Sequence, residues 1–162
     1  MPDEIKIIDA DLSRVDHQQA IVAMLDAFMR DPDDDGVPLP EASKRELIPG
    51  LRAHPACYVL LAYRGDDAVG FSICFLGFST FNARPLLNIH DIFVDSSVRG
   101  KGIGRMLLDR IESKASELNC CRLTLEVRED NRVARGLYRK FGFDRATAGP
   151  KKVPMEFWRK PL

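Results

Sequence analysis

The stretch Ser96 to Ser113, "SSVRGKGIGRMLLDRIES", sets Gly100, Gly102 and Gly104 directly ahead of an amphipathic run. Glycine weakens a helix interior by about 1 kcal/mol relative to alanine. Where a helix begins, three of them therefore serve something other than helix stability: a sharp turn, or a backbone approached so closely that no Cβ fits. The run that follows puts Ile103, Leu107, Ile111, Ala115 and Leu118 on one stripe and Arg105, Asp109, Arg110, Glu112 and Glu117 elsewhere, which predicts an amphipathic helix. Upstream, "LLNIHDIFV" (Leu86 to Val94) is almost continuously apolar and predicts a central strand. A strand, a glycine turn and a helix start make an anion site, because the first helical N–H groups lack acceptors within the helix and the helix dipole adds partial positive charge.

Working outward, "EIKII" predicts a first strand, Glu4 to Ile8, and Val15 to Met29 a helix with Val15, Val22, Leu25 and Phe28 at helical spacing. The turn formers of "DPDDDGVPLP", Asp31 to Pro40, end it, and a second helix carrying Leu47, Ile48 and Leu51 follows. "CYVLLAYRG" and "DDAVGFSICFLGFST" read as an antiparallel hairpin turning at Gly65-Asp66-Asp67. Beyond the glycine helix come a strand "CRLTLEV" with Leu123, Leu125 and Val127 alternating, then a helix from about Asn131 to Lys140 with Ala134, Leu137, Tyr138 and Phe141 on one side. The tail containing "VPMEFW" is expected to supply the last strand. The fold class is α/β, a mixed sheet with helices on both faces, in one domain spanning 1–162.

Composition narrows the function classes. The formal net charge is zero and no dense Lys/Arg run occurs, which argues against nucleic acid as a main partner. The N-terminal "MPDEIKIIDADLS" has only a short apolar stretch flanked by acids, unlike a secretory signal or a membrane span, so a cytoplasmic location is the default expectation. Cys57, Cys74, Cys120 and Cys121 lack C-x-x-C spacing and read as reduced packing residues; His17, His54 and His90 are scattered, and no metal site is implied.

Phosphate motifs compete for the loop. A Walker pattern needs Lys-Ser or Lys-Thr after its last glycine, but Arg105-Met106 follow Gly104. A dinucleotide fingerprint needs G-x-G-x-x-G, and the loop has G-x-G-x-G. What remains is R-G-x-G-x-G after a strand ending in Phe93-Val94. With that strand, "NIHDIFVDSSVRGKGIG" resembles the cofactor strand and pyrophosphate loop of the GNAT superfamily of N-acetyltransferases, and "EDNRVARGLYRKFGF" resembles its N-x-x-A-x-x-L-Y-x-x-x-G-F helix. The matched elements cover about Asn88 to Phe143, roughly a third of the chain, and the order of the other elements agrees with that family's fold.

The resemblance implies acetyl-CoA as cofactor. Backbone N–H groups from Arg99 through Gly100, Lys101, Gly102, Ile103 and Gly104 would cradle its pyrophosphate, with charge from Arg99 and Lys101, while the backbone of Ile92, Phe93 and Val94 pairs with the pantetheine amides as an added strand would. Asn131 resembles a polar cofactor contact, and as a helix N-cap it has a structural role as well. Tyr138 stands where the family places the acid that protonates the departing thiolate. Many relatives carry Glu just before the strand's Asp, whereas this chain has His90 before Asp91, so the expected base is His90, directly or through water. The implied reaction is acetyl transfer to a primary amine by direct attack. A small amine, polyamine or lysine-like acceptor is favoured slightly over a protein N-terminus, and the alternative class is a non-catalytic acyl-CoA-binding module. Asp33, Asp34 and Asp35 fall in the region that borders the acceptor in this fold and are expected to attract cationic amines or to be a solvated turn. Relatives often form dimers, and the apolar tail is a candidate dimer contact.

Overall fold

The computed structural model describes residues 4–162. Its contacts divide into two compact units, the first ending at Glu126 and the second comprising Val127–Leu162.

The first unit runs β1 (Ile5–Asp9), α1 (Val15–Arg30), α2 (Glu41–Ala53), β2 (Cys57–Arg64), β3 (Asp67–Ser79), β4 (Arg84–Val94), a 3-10 turn (Ser96–Val98), α3 (Ile103–Glu117) and β5 (Leu123–Leu125). The strands form one sheet in the order β1-β2-β3-β4-β5, antiparallel except for the parallel β4–β5 pair. This is the expected mixed sheet, with β4 inside it rather than at an edge. Period-two alternation explains the layers. Val59 and Leu61 of β2, Phe71 and Ile73 of β3 and Phe93 of β4 pack against Ile21 and Met24 of α1 and Ile48 and Leu51 of α2. The interleaved Leu60, Ala62, Ser72 and Cys74 are buried on the opposite face, where α3 supplies its own buried stripe, Ile103, Leu107, Leu108, Ile111 and Ala115. Phe28, Phe71 and Phe93 form an aromatic cluster with centroids 5.4–6.4 Å apart, each pair adding about 0.5–1.5 kcal/mol beyond the area it buries.

The register between β3 and β4 is interrupted: Ile89 faces Cys74, but Asp91 faces Ile73, so His90 is an extra residue in a β-bulge. An unbroken register would set Asp91 opposite Ser72, on the α3 face. The bulge moves Asp91 and Phe93 to the face covered by α1 and α2.

The second unit contains α4 (Arg132–Phe141), β6 (Thr147–Ala148) and β7 (Val153–Pro154), the last two forming an antiparallel pair of their own. Two sequence expectations are corrected here. "CRLTLEV" is a strand only over Leu123–Leu125: Val127, the next residue of the alternation, is exposed, and Arg128 to Asn131 are all polar. "VPMEFW" adds no strand to the five-stranded sheet: Val153 and Pro154 pair with Ala148 and Thr147, and Met155, Phe157 and Trp158 beyond them are exposed. Pro154 lacks the N–H that a longer ladder requires.

Candidate active site

β5 pairs with β4 only from Leu87 to Ile89, so no strand covers the β5-side edge of β4 from His90 to Val94 among the described residues. Apart from the Val94 carbonyl, which Arg99 engages, main-chain groups on that edge have no strand partner, the kind of surface an extended ligand adds to.

Past the end of β4, Asp95 accepts from the Ser97 N–H at 2.9 Å and from the Ser97 hydroxyl at 2.6 Å, and these bonds hold its carboxyl below the usual range while shaping the turn. Gly100 and Gly102 both have φ +80°, a left-handed conformation that other residues enter only with strain. A Cβ built at either would meet open space, so the intramolecular reason for these two glycines is backbone conformation. Gly104 differs, lying in the first turn of α3, where the first helical bond runs from the Met106 N–H to the Gly102 carbonyl. No backbone acceptor is found among the described residues for the N–H groups of Gly100, Lys101, Gly102, Ile103 and Gly104. Consecutive unengaged N–H groups in alternating left- and right-handed backbone form an anion-binding nest at a helix N-terminus. The Arg99 N–H is turned away, toward the Ser96 carbonyl at 3.5 Å.

The Arg99 side chain is also engaged. Its Nε donates to the Val94 carbonyl at 2.9 Å, its guanidinium lies 5.6 Å from the Phe93 ring centroid, and it pairs with Asp31 and, at 3.8 Å, with Asp33. The α1–α2 connection is thus tied to the glycine loop, a contact that no local sequence pattern announces. Lys101 is exposed.

His90 is exposed, with its ring 5.4 Å from Phe75 in an edge contact. The same Phe75 ring meets His54 at 4.7 Å. Asp91 is partly buried, and burial pushes its carboxyl above the usual range, with Asp34 adding to the shift and His90 opposing it. Cys74, on the other face, is buried and its thiol is pushed up to about 12, so it is not a nucleophile at neutral pH. No cluster of metal-ligating side chains occurs among the described residues.

In the second unit, Asn131 is the N-cap of α4, its side-chain oxygen accepting from the Ala134 N–H at 3.0 Å. Gly142, with φ +105°, ends the helix, and the Phe143 N–H returns to the Tyr138 carbonyl at 2.9 Å. Tyr138 is buried, its ring 5.8 Å from Phe143, and burial pushes its phenol up to about 12.

Residues 21–143 match the model of the acetyltransferase (GNAT) family. This chain belongs to that family. It is 34% identical over 139 residues to the N-alpha-acetyltransferase RimI of Mycobacterium tuberculosis, covering 83% of this chain and 76% of that protein. It is 30% identical over 89 residues to the uncharacterized N-acetyltransferase YhfO of Bacillus subtilis, covering 55% of this chain and 60% of that one. Other curated relatives are matched over about a quarter to a half of their own length. Among solved structures, an integron cassette protein from the mobile metagenome of V. cholerae superposes with a TM-score of 0.76 at 24% identity, covering 98% of this chain and 93% of that one, which shows a shared fold.

No helix among the described residues of this GNAT chain is long and apolar enough to cross a membrane. Two surface grooves lie between α1 and α2, beside Val22, Ile48 and Pro49, and along α1 beside Ile8 and Tyr63. Neither includes a residue of the glycine loop or the bulge. An extended ligand on a strand edge needs no enclosed cavity, so the open edge of β4 is the better candidate.

Proposed function

We propose that the chain acts as one acetyltransferase domain, 1–162, transferring the acetyl group of acetyl-CoA to a primary amine. The observation that carries this reading is the continuity of the unpaired β4 edge with the nest of unengaged N–H groups from Gly100 to Gly104. An extended pantetheine arm and a pyrophosphate are the ligand that such a pair of surfaces fits. Acetyl-CoA when bound supplies an activated thioester. The chain's own groups do the rest: the β4 edge and the loop orient the cofactor, with Lys101 adding charge, and Asn131 is a polar contact in addition to its cap. His90, exposed at the bulge, takes a proton from the acceptor ammonium, directly or through water, so that the amine nitrogen can attack the carbonyl carbon. As the new C–N bond forms and the C–S bond breaks, the Tyr138 phenol would give its proton to the sulfur, and the second proton that the nitrogen sheds on becoming an amide would pass through solvent to restore the phenol. A phenol raised to about 12 still holds that proton at neutral pH.

The acceptor is proposed to be a small cationic or lysine-like amine, supported by the acids of the α1–α2 connection. Similarity to RimI favours a second reading, a peptide α-amine. The test is thiol release from acetyl-CoA across a panel of diamines, lysine derivatives and peptides with free N-termini. Turnover with any member supports the enzyme. Tight acetyl-CoA binding with no turnover anywhere identifies a non-catalytic acyl-CoA-binding module instead.

A further inference from the structure

Asp31 sits at the C-cap of α1, its N–H donating to the Phe28 carbonyl at 3.1 Å, and its side chain is 9% exposed. A carboxylate is disfavoured there twice, by the negative end of the helix dipole and by partial loss of water, so the stability of α1 does not account for it. Its partner is Arg99, which directly precedes the anion-binding nest but whose guanidinium is taken up by Asp31, by the Val94 carbonyl and by the face of Phe93, with Asp33 at 3.8 Å. Phe93 in turn stacks on Phe28 at 5.4 Å. Phe28, Asp31, Arg99 and Phe93 form a closed ring of contacts that fastens the end of α1 to the end of β4.

The nest follows Val94, so a ligand laid along the unpaired edge of β4 with its pyrophosphate in the nest would point its acylated end toward the bulge at His90. The α1–α2 connection borders that end: the Asp34 N–H donates to the Asp31 carbonyl at 2.9 Å, and Asp34 is close enough to Asp91 to raise its carboxyl. An amine arriving at the bulge passes this connection. We propose that Arg99 and Asp31 are positioning residues for the acceptor, their ion pair holding the connection beside the bulge, and that the Arg99 side chain is not a phosphate ligand. The inference rests on the acetyltransferase reading above. Because the pair is neutral as a whole, breaking it alters the border of the acceptor's path more than the field at the cofactor's phosphates.

The experiment measures acceptor KM and kcat, acetyl-CoA Kd by calorimetry, Tm and amide hydrogen exchange in the full-length parent, Asp31→Asn, Arg99→Gln and the double variant. Asparagine at position 31 can still accept from the Asp33 N–H, the bond that shapes the turn, while losing the charge-assisted bond to Arg99. Either single variant is expected to raise acceptor KM about three- to tenfold, to keep kcat and acetyl-CoA Kd within about threefold of the parent, and to speed exchange at residues 31–37. The double variant should have a KM no higher than the worse single variant, since both act through one pair, and a Tm above that of Arg99→Gln, which leaves the Asp31 carboxylate without its cation. An Arg99→Gln variant that binds acetyl-CoA more than about threefold weaker makes Arg99 a phosphate ligand and overturns the assignment. A lowered Tm with unchanged acceptor KM in both single variants leaves the pair a structural brace and overturns it too. If Arg99→Gln does not fold, Asp31→Asn decides alone, raised KM supporting the proposal and unchanged KM ending it. A parent that binds acetyl-CoA but turns over no amine removes the enzyme reading and this inference with it, a different failure from an active parent whose KM ignores both substitutions.

Discussion

The Arg99 guanidinium donates to the Asp31 carboxylate, so the glycine loop and the connection between α1 and α2, 68 positions apart in the chain, are joined by a charge-assisted hydrogen bond. The Asp31 side chain is 9% exposed and Arg99 39%, which places the pair between a surface ion pair and a buried one. The acidic connection therefore does not present its full formal charge to solvent: Arg99 offsets Asp31 and stands 3.8 Å from Asp33.

Replacing Asp33, Asp34 and Asp35 together by asparagine is accordingly expected to raise KM for a polycationic amine about two- to fivefold at low salt, with kcat nearly unchanged and the salt dependence flattened. Steady-state kinetics at two ionic strengths check this. Identical KM and salt response in parent and variant would make the connection a solvated turn.

Gly102 separates backbone strain from ligand contact. At φ +80°, valine costs about 1–2 kcal/mol of stability, whereas asparagine tolerates the left-handed region. Both side chains would enter the open space beside the nest, so both variants should weaken acetyl-CoA binding at least tenfold, or ~1.4 kcal/mol, while only Gly102→Val loses appreciable Tm. A Gly102→Asn variant with parental Kd in calorimetry would show that the loop does not contact the cofactor.

Tyr138→Phe should reduce kcat by roughly 10²-fold with acetyl-CoA affinity little changed, because it removes the proton and almost no volume. The phenol's position at about 12 adds a pH statement. A raised acid is fully protonated below its ordinary value near 10, so loss of activity through Tyr138 ionisation appears only as pH rises toward 12, and no limb from it is expected below pH 9. Near-parental turnover under conditions where chemistry limits the rate would reduce Tyr138 to a packing residue.

His90→Gln should lower kcat/KM at neutral pH and recover at high pH, where the acceptor amine deprotonates unaided. The pH profile of the variant against the parent is the measurement. Superimposable profiles would send the proton to water or to another group.

Much of this protein is legible along the chain because it is written in local periodicities. The helical stripe Ile103, Leu107, Ile111 and Ala115 is buried as read, the continuous apolar run of "CYVLLAYR" gives a strand turning at Gly65, and the glycines of "RGKGIG" mark a left-handed turn before a helix. Such patterns depend on 3.6- and 2-residue spacing and on the steric needs of single residues. Two features of the site depend on neither. In "NIHDIFV" the polar Asn88, His90 and Asp91 keep no strict alternation with the apolar residues, so nothing in the spelling reveals that an extra residue sits at His90, and only pairing with β3 forces the bulge that carries Asp91 and Phe93 to the other face. The bond from Arg99 to Asp31 joins segments that are neighbours only once α1 has packed on the sheet. Register and long-range charge pairing are properties of two strands or two loops together, and the physical interactions that select them exist only in the folded chain.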